Sequence, residues 1–253
     1  MWQKMRGKAA PCFLVNIILF SPAEVELPLP RRDPRARHIL EVLRRAPGGV
    51  FDAGLINGPR GQATLRAVHD AALVLSYEWG PAPPPLAPIH LVVGLPRPQT
   101  ARDILREGTA LGVATMDFVR TDRGDPGYGQ STLWTSREWE DLLVAGAAQA
   151  FCTRLPAVRH GRTLAETITA VPADHCLVAL DNYEAPEALR DLPLAGRTAV
   201  TLALGAERGW SAAERALLLQ RGFLFAHLGE RVLRTETACI AAVTLLKARL
   251  GLA

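Results

Sequence analysis

The spacing of hydrophobic residues changes about a third of the way along the chain. In the first 80 residues, short apolar runs at 14–20, 49–56 and 62–68 alternate with turn residues. Short strands separated by turns are typical of a small β-barrel. Residues 33–44 are the exception, because apolar residues at helical spacing follow an aspartate cap and a proline, which predicts a helix.

A different pattern follows the proline-rich stretch at residues 81–88, which predicts an extended linker. Beyond it, predicted strands at 90–95, 114–120, 176–180 and 223–227 alternate with predicted helices at 100–111, 136–153, 163–170 and 211–221. Such alternation predicts an α/β fold with a parallel sheet between helices. The chain therefore divides into residues 1–80, a linker at 81–88, and residues 89–253.

Composition indicates the cellular environment in which the protein functions. Hydrophobic residues make up 49% of the chain, which suffices for a core, and no apolar run is long enough to span a membrane. We interpret residues 13–20 as a strand, although a signal peptide is the alternative. The cysteines Cys12, Cys152, Cys176 and Cys239 lie far apart, which disfavours a metal site and suits reduced thiols in the cytoplasm.

Positive charge is concentrated in the N-terminal part, within a net charge of +4. The predicted helix and its flanks carry a basic cluster opposed only by Asp33 and Glu41. Arginine forks suit phosphate oxygens, so the cluster predicts contact with RNA, and a solvated helix face is the alternative. The candidate residues here are Arg31, Arg32, Arg35, Arg37, His38, Arg44 and Arg45.

Two strand–turn–helix units near the C-terminus carry the candidate chemistry. In the first, residues 201–214, a strand ends in a glycine-bearing turn, and Ser211 and Glu214 have the spacing of a capping box. In the second, residues 228–238, the sequence LGERVLRTETA leads into a helix that Thr235 or Thr237 could cap. Turns that follow parallel strands meet at one edge of the sheet, where α/β proteins bind small ligands.

Together these two stretches resemble the SPOUT methyltransferases that methylate N3 of a uridine in 16S ribosomal RNA. The second stretch matches the family string in full. The first matches at Gly205, Glu207, Gly209, Ser211 and Glu214, but has Ala206 for the family's proline and Arg208 for its glycine. No Gly-x-Gly-x-x-Gly motif is present, which disfavours a Rossmann-type methyltransferase.

The resemblance implies a trefoil-knotted parallel sheet preceded by a PUA-like barrel that helps to bind RNA. It also implies S-adenosylmethionine as cofactor, a homodimer, and ribosomal RNA or the small ribosomal subunit as partner. Matched residue by residue, the expected cofactor site comprises Leu180, Leu204, Gly205, Glu207, Gly209, Leu228, Gly229, Val232, Leu233 and Thr235.

Arg234 and Glu236 are the candidate catalytic residues. Methylation at N3 requires loss of a proton from the uracil, and an arginine, which stays charged, could stabilise the resulting oxyanion. A carboxylate in the first turn of a helix is held in its charged, weakly basic form. Glu236 could therefore have a structural role in the knot instead of accepting the proton.

The substrate-side motifs depart from the family. Ala148-Gln149 precedes Arg154-Leu155-Pro156 where the family has Glu-Gln, and Thr121-Asp122-Arg123-Gly124 stands for Thr-Glu-Arg-Ser. Arg123 and Arg154 are further RNA-binding candidates. The first hypothesis is an RNA methyltransferase, and the second is a non-catalytic RNA-binding or ribosome assembly factor with the same fold. The retained glycines, Arg234 and Glu236 favour the enzyme.

Overall fold

The computed structural model describes residues 17–194 and 198–252, which form two sheets joined by a short connection at residues 80–86. The strands are β1 (Ile18–Phe20), β2 (Leu29–Pro30), β3 (Val50–Leu55), β4 (Arg60–Val68), β5 (Ala72–Trp79), β6 (Ala87–Gly94), β7 (Val113–Arg120), β8 (Ala157–Thr163), β9 (His175–Leu180), β10 (Glu187–Ala188), β11 (Ala199–Leu204) and β12 (Leu224–His227). The α-helices are α1 (Pro34–Arg37), α2 (Pro98–Ala110), α3 (Thr132–Thr135), α4 (Glu138–Gln149), α5 (Leu164–Thr169), α6 (Ala212–Gln220) and α7 (Thr235–Arg249).

The N-terminal sheet has the order β1-β3-β4-β5-β2, antiparallel except for the β1–β3 pair. All five strands place residues in one core, among them Phe20, Phe51, Leu65 and Leu73. The predicted strand at 13–20 is present from residue 18, and residues 13–16 lie outside the described part. The helix predicted at 33–44 is α-helical only at Pro34–Arg37. It continues as a single π-helical turn at His38–Val42.

Arg35 is partly buried against this sheet. Its guanidinium group donates hydrogen bonds to the carboxylates of Glu24 and Asp33 and to the carbonyl of Leu19 at 3.0 Å. It also lies 5.0 Å from the centre of the Phe20 ring. These contacts occupy the planar fork of Arg35, so its side chain ties α1 to β1 instead of pointing at a ligand.

The second sheet has seven strands in the order β10-β12-β9-β11-β6-β7-β8, and every paired neighbour is parallel. This confirms the predicted α/β class. β11 is buried along its whole length, as a central strand covered on both faces must be. Alternate residues of the strands face opposite layers of helices. Leu91 and Val93 pack with α2, α4 and α7, whereas Val92 packs with α5 and α6.

β8 was not predicted from the sequence. It is an edge strand whose one partner among the described strands is β7, and most of its residues are exposed. A strand exposed on both faces carries polar residues, so the hydrophobic alternation that reveals a strand is missing. The predicted helix at 136–153 is also shorter, since α4 ends at Gln149 and the chain then turns toward β8.

The two sheets dock through the turn between β3 and β4. The backbone N–H of Asn57 donates to the carbonyl of Thr153 at 2.7 Å, and its side-chain oxygen accepts from the N–H of Leu155 at 2.9 Å. Arg154 donates to the carbonyls of Pro83 and Pro84. The Arg-Leu-Pro segment after α4 therefore anchors the N-terminal sheet and the proline-rich connection.

Within the described ranges, no helix is long and apolar enough to cross a bilayer. The same residues contain no group of three or more His, Cys, Asp or Glu side chains placed to hold a metal ion. Burial raises the pKa of Cys239 to about 12, so this thiol in α7 stays protonated and packs as a small apolar group.

The Arg35 network predicts acid sensitivity. The Arg35 guanidinium lowers the pKa of Glu24 from 4.5 to about 2 and also lowers that of Asp33. A carboxylate whose pKa falls on folding stabilises the fold above its unfolded pKa. This contribution is therefore complete above about pH 4.5 and is lost as the pH falls toward 2.

We expect denaturant midpoints measured by circular dichroism to fall between pH 5 and pH 2.5. Arg35→Gln should lower stability at pH 7 and flatten this dependence. The exposed Arg32→Gln, next to Asp33 in the chain, provides a charge-matched control. An unchanged pH profile in Arg35→Gln would show that the network contributes nothing to stability.

Candidate functional site

Three loops meet at the carboxyl edge of the C-terminal sheet. They follow β9, β11 and β12, which are neighbours in the order β12-β9-β11. Because the three strands are parallel, their carboxyl ends lie side by side. The loops enclose a cavity of about 160 Å³ lined by Leu180, Asp181, Asn182, Tyr183, Leu204, Gly205, Ala206, Glu207, Arg208, Gly209, Leu228, Arg231, Val232, Leu233, Thr235 and Ala238.

Every predicted cofactor residue except Gly229 lines this cavity. Arg231 and Tyr183 also face it, although neither was among the predicted site residues. A larger cavity, of about 590 Å³, lies further along the same edge, at the ends of β6 and β7. The smaller one is the better candidate for a cofactor, because it is enclosed by both motif stretches and combines leucine side chains with glycine-bearing backbone.

The loop after β11 is a turn that only glycine permits. A Cβ on Gly205 would lie 2.8 Å from the Cα of Gly209, too close for any side chain. Gly209 itself has a φ of +64°, in the left-handed region that other residues adopt at a cost. The two glycines therefore fold the loop back on itself beside the cavity, before the capping box of Ser211 and Glu214 starts α6.

A buried ion pair fixes the loop after β9. The Nε of Arg215 in α6 lies 2.6 Å from Oδ2 of Asp181, and both side chains are buried. The second carboxylate oxygen of Asp181 accepts the backbone N–H groups of Tyr183 and Glu184 at 2.7 and 2.9 Å. Trp210 also donates from its indole nitrogen to the carbonyl of Leu180. The first cavity loop is thus held by the helix that follows the second.

The loop after β12 is held more loosely. Gly229, with a φ of +116°, donates its N–H to the imidazole Nδ1 of His227. The predicted cap of α7 is wrong: Arg234 occupies the N-cap position without a side-chain bond, and Thr235 is the first helical residue. Thr235 turns toward the cavity instead, where it forms part of the wall.

Arg234 and Glu236 lie beside the cavity and outside its lining. Neither side chain makes a hydrogen bond or ion pair with any residue that the structure describes. Arg234 is exposed, and its chain neighbours Leu233 and Thr235 both line the cavity. The structure therefore gives no contact by which Arg234 would anchor the loop.

The predicted RNA-binding residues fall into separate groups. Arg35 and Arg154 are engaged in the packing described above. Arg123 lies near the cavity and donates to the carbonyl of Arg208 at 3.0 Å. His38 is partly buried at the start of the π-helical turn. The remaining basic residues of the N-terminal cluster are exposed at the surface of that sheet, namely Arg31, Arg32, Arg37, Arg44 and Arg45.

Comparison with known proteins identifies the family. Residues 82–247, about two thirds of the chain, match the model of an RNA methyltransferase domain. A Treponema pallidum protein named ribosomal RNA small subunit methyltransferase E is 35% identical over 244 residues, covering 90% of this chain and 89% of that protein. The chain belongs to the methyltransferase E family. The resemblance drawn from the two motif stretches is confirmed.

Solved structures agree on the fold. A putative methyltransferase from Legionella pneumophila, in complex with S-adenosylmethionine, superposes with a TM-score of 0.77 at 23% identity, covering 93% of this chain and 98% of that one. Ribosomal RNA small subunit methyltransferase E from Neisseria gonorrhoeae, also bound to S-adenosylmethionine, gives a TM-score of 0.72 at 22% identity, covering 92% and 98%.

Arg208 departs from the methyltransferase E motif and changes the lining of the site. Its side chain stands where the family glycine has none, between the 160 Å³ cavity and a neighbouring cavity of about 270 Å³. Ala206, which replaces the family's proline, is buried and lines the first cavity. The turn keeps Gly205 and Gly209, the two glycines that its backbone requires, so the substitutions affect side chains in the wall.

We predict that the ion pair between Asp181 and Arg215, which holds a cavity loop, also contributes strongly to the stability of the fold. Arg215→Leu leaves a buried carboxylate without its charge partner, which typically costs about 3 to 5 kcal/mol. We expect a matching fall in unfolding free energy by denaturant titration. The double variant Asp181→Leu/Arg215→Leu should recover part of this stability. Equal destabilisation by the single and double variants would contradict the coupling.

Proposed function

We propose that this protein is an S-adenosylmethionine-dependent methyltransferase that methylates N3 of a uridine in 16S ribosomal RNA. The observation that carries the proposal is the cavity at the ends of β9, β11 and β12, whose walls come from both family motifs. The relatives named for small-subunit ribosomal RNA methylation, and the neighbours that bind S-adenosylmethionine, support the same activity.

The cavity residues suit this cofactor. Leu180, Leu204 and Leu228 offer apolar side chains to a flat purine, and the Gly205–Gly209 turn lets backbone groups approach a ligand closely. When bound, the cofactor supplies an electrophilic methyl group on a sulfonium. The chain's contribution is to hold that methyl in line with the uracil nitrogen, and well-oriented reactants gain most of their rate from positioning.

Arg234 is the proposed stabiliser of charge on the uracil. The base loses its N3 proton during the reaction, and a guanidinium fork can bind the oxygen on which negative charge develops. The exposed position of Arg234, between two cavity-lining residues and without a partner among the described residues, supports this role. Glu236, in the first turn of α7, is the carboxylate nearest to Arg234 along the chain and is the second candidate for a catalytic role.

We further propose that the C-terminal sheet is trefoil-knotted and that the protein acts as a homodimer. The loops after β9 and β12 support a dimer, because Tyr183 in the first is 80% exposed and Val232 in the second is 79% exposed, although both line the cavity. Large apolar side chains left uncovered at a site commonly face a partner. Sedimentation of the purified protein as a monomer at micromolar concentration would contradict the dimer.

The N-terminal sheet is proposed to be the PUA-like RNA-binding barrel, since all five strands curl around one core. Its exposed arginines are then available for phosphates. Replacing Arg37 and Arg44 with glutamate should weaken RNA binding and reduce its log–log salt slope by about 0.7 to 0.9 for each phosphate that is no longer bound. An unchanged slope would assign these arginines to the solvated surface.

Methyl transfer from labelled cofactor to purified small ribosomal subunits that lack native methylation tests the proposed function. The expected product is a single N3-methyluridine in 16S RNA, identified by nuclease digestion and mass spectrometry. Binding of the subunit without methyl transfer would favour the alternative of a non-catalytic assembly factor.

Arg234→Lys separates chemistry from binding. Lysine keeps the charge but has no planar fork, so turnover should fall by about 10² or more, as when an oxyanion donor is removed. Cofactor affinity by calorimetry and the melting temperature should change little. Arg231→Lys, in the same loop, provides the matched comparison. Normal turnover in Arg234→Lys would remove Arg234 from the mechanism, and a joint fall in stability and cofactor affinity would assign it to the loop structure.

A further inference from the structure

The cavity of about 270 Å³ adjoins the proposed cofactor cavity, with which it shares Glu207 and Arg208. Three arginines line it, namely Arg97, Arg123 and Arg208, together with the partly buried Tyr128. The three come from different loops, after β6, β7 and β11. Their meeting at one place therefore results from the parallel order of those strands and could not be read from the sequence.

Hydrogen bonds hold the arginine backbones in place. The carboxylate of Glu207 accepts the backbone N–H of Arg97 at 2.9 Å, which joins the loop after β11 to the start of α2. The guanidinium of Arg123 donates to the carbonyl of Arg208 at 3.0 Å. Arg97 is also the N-cap residue of α2, a helix of 13 residues, whose dipole adds positive potential at the same place.

The arginine cavity has a net positive charge, because its lining has three arginines against the two carboxylates of Glu207 and Asp125. Among the described residues, the guanidinium groups of Arg97 and Arg208 have no hydrogen-bond or ion-pair partner. By contrast, Arg102 in α2 is held by both oxygens of Glu138. Asp125, the other acidic residue of the lining, accepts the N–H of Gly127. Unpaired forks that converge on a cavity indicate a site for an anion.

We propose that Arg97, Arg123 and Arg208 bind phosphodiester groups of the substrate RNA beside the methylated uridine. This inference rests on the proposed function. Guanidinium forks match phosphate oxygens, and such contacts position an RNA strand without reading its sequence. A strand held here passes the mouth of the cofactor cavity, so its phosphates set how deeply the uridine enters. Arg208, where the family motif has glycine, gives this chain an additional contact.

The test measures RNA and cofactor affinity separately in full-length Arg97→Gln and Arg208→Gly, the latter restoring the family residue. The probe is the small ribosomal subunit lacking native methylation. Removal of a charged hydrogen bond should weaken subunit binding at least about tenfold and lower the salt slope by about 0.7 to 0.9. In Arg97→Gln, cofactor affinity by calorimetry should stay within about twofold, because Arg97 lies outside the lining of the proposed cofactor cavity.

Arg221→Gln is the control. It removes the same charge just beyond the C-terminal end of α6, whereas Arg208 precedes the N-terminal end. Subunit affinities equal to that of Arg221→Gln would overturn the inference. Equal falls in cofactor and subunit affinity would also overturn it, since the arginines would then bind the cofactor carboxylate. Arginine-dependent subunit binding without any methyl transfer would sustain the inference while refuting the proposed function.

Discussion

The buried ion pair between Asp181 and Arg215 is the constraint on which the cavity depends. Charges removed from water are tolerated only when each is paired and further hydrogen-bonded, and Asp181 meets both conditions through Arg215 and two backbone N–H groups. The neighbouring residue, Glu214, accepts the backbone N–H groups of Ser211 and Asp122. One turn of α6 therefore holds the loops after β7 and β9 as well as its own start.

The same edge of the sheet has two adjoining cavities. The loop after β11 reaches both cavities, because Glu207 and Arg208 lie in the wall between them. Its path also requires close approach to β6, where a Cβ on Gly94 would lie 2.6 Å from the backbone nitrogen of Ala206. Small residues thus bring the loop against its neighbour, and the large side chain of Arg208 projects from a backbone that is fixed.

The sequence predicted much of what depends on local pattern, but it could not predict contacts between residues distant in the chain. The predicted capping box of α6, at Ser211 and Glu214, is present because a cap involves residues only three apart. The edge strand β8 has no hydrophobic alternation and was missed. A local prediction also failed: Thr235 or Thr237 was expected to cap α7, but Arg234 occupies the N-cap position. The convergence of Arg97, Arg123 and Arg208 depends on strand order, which no local pattern encodes.

The arginines show why net charge alone predicts partners poorly. Almost all of the 29 basic residues are arginine, yet their guanidinium groups have different roles. Arg35, Arg154 and Arg215 are occupied by carboxylates or carbonyls of the chain itself, so their charge contributes to folding. A guanidinium has five N–H donors, and each one used within the chain leaves fewer for a phosphate. Described arginines with donors to spare are therefore the informative ones, such as Arg97 and Arg208 beside the proposed cofactor cavity and Arg37 and Arg44 on the N-terminal sheet.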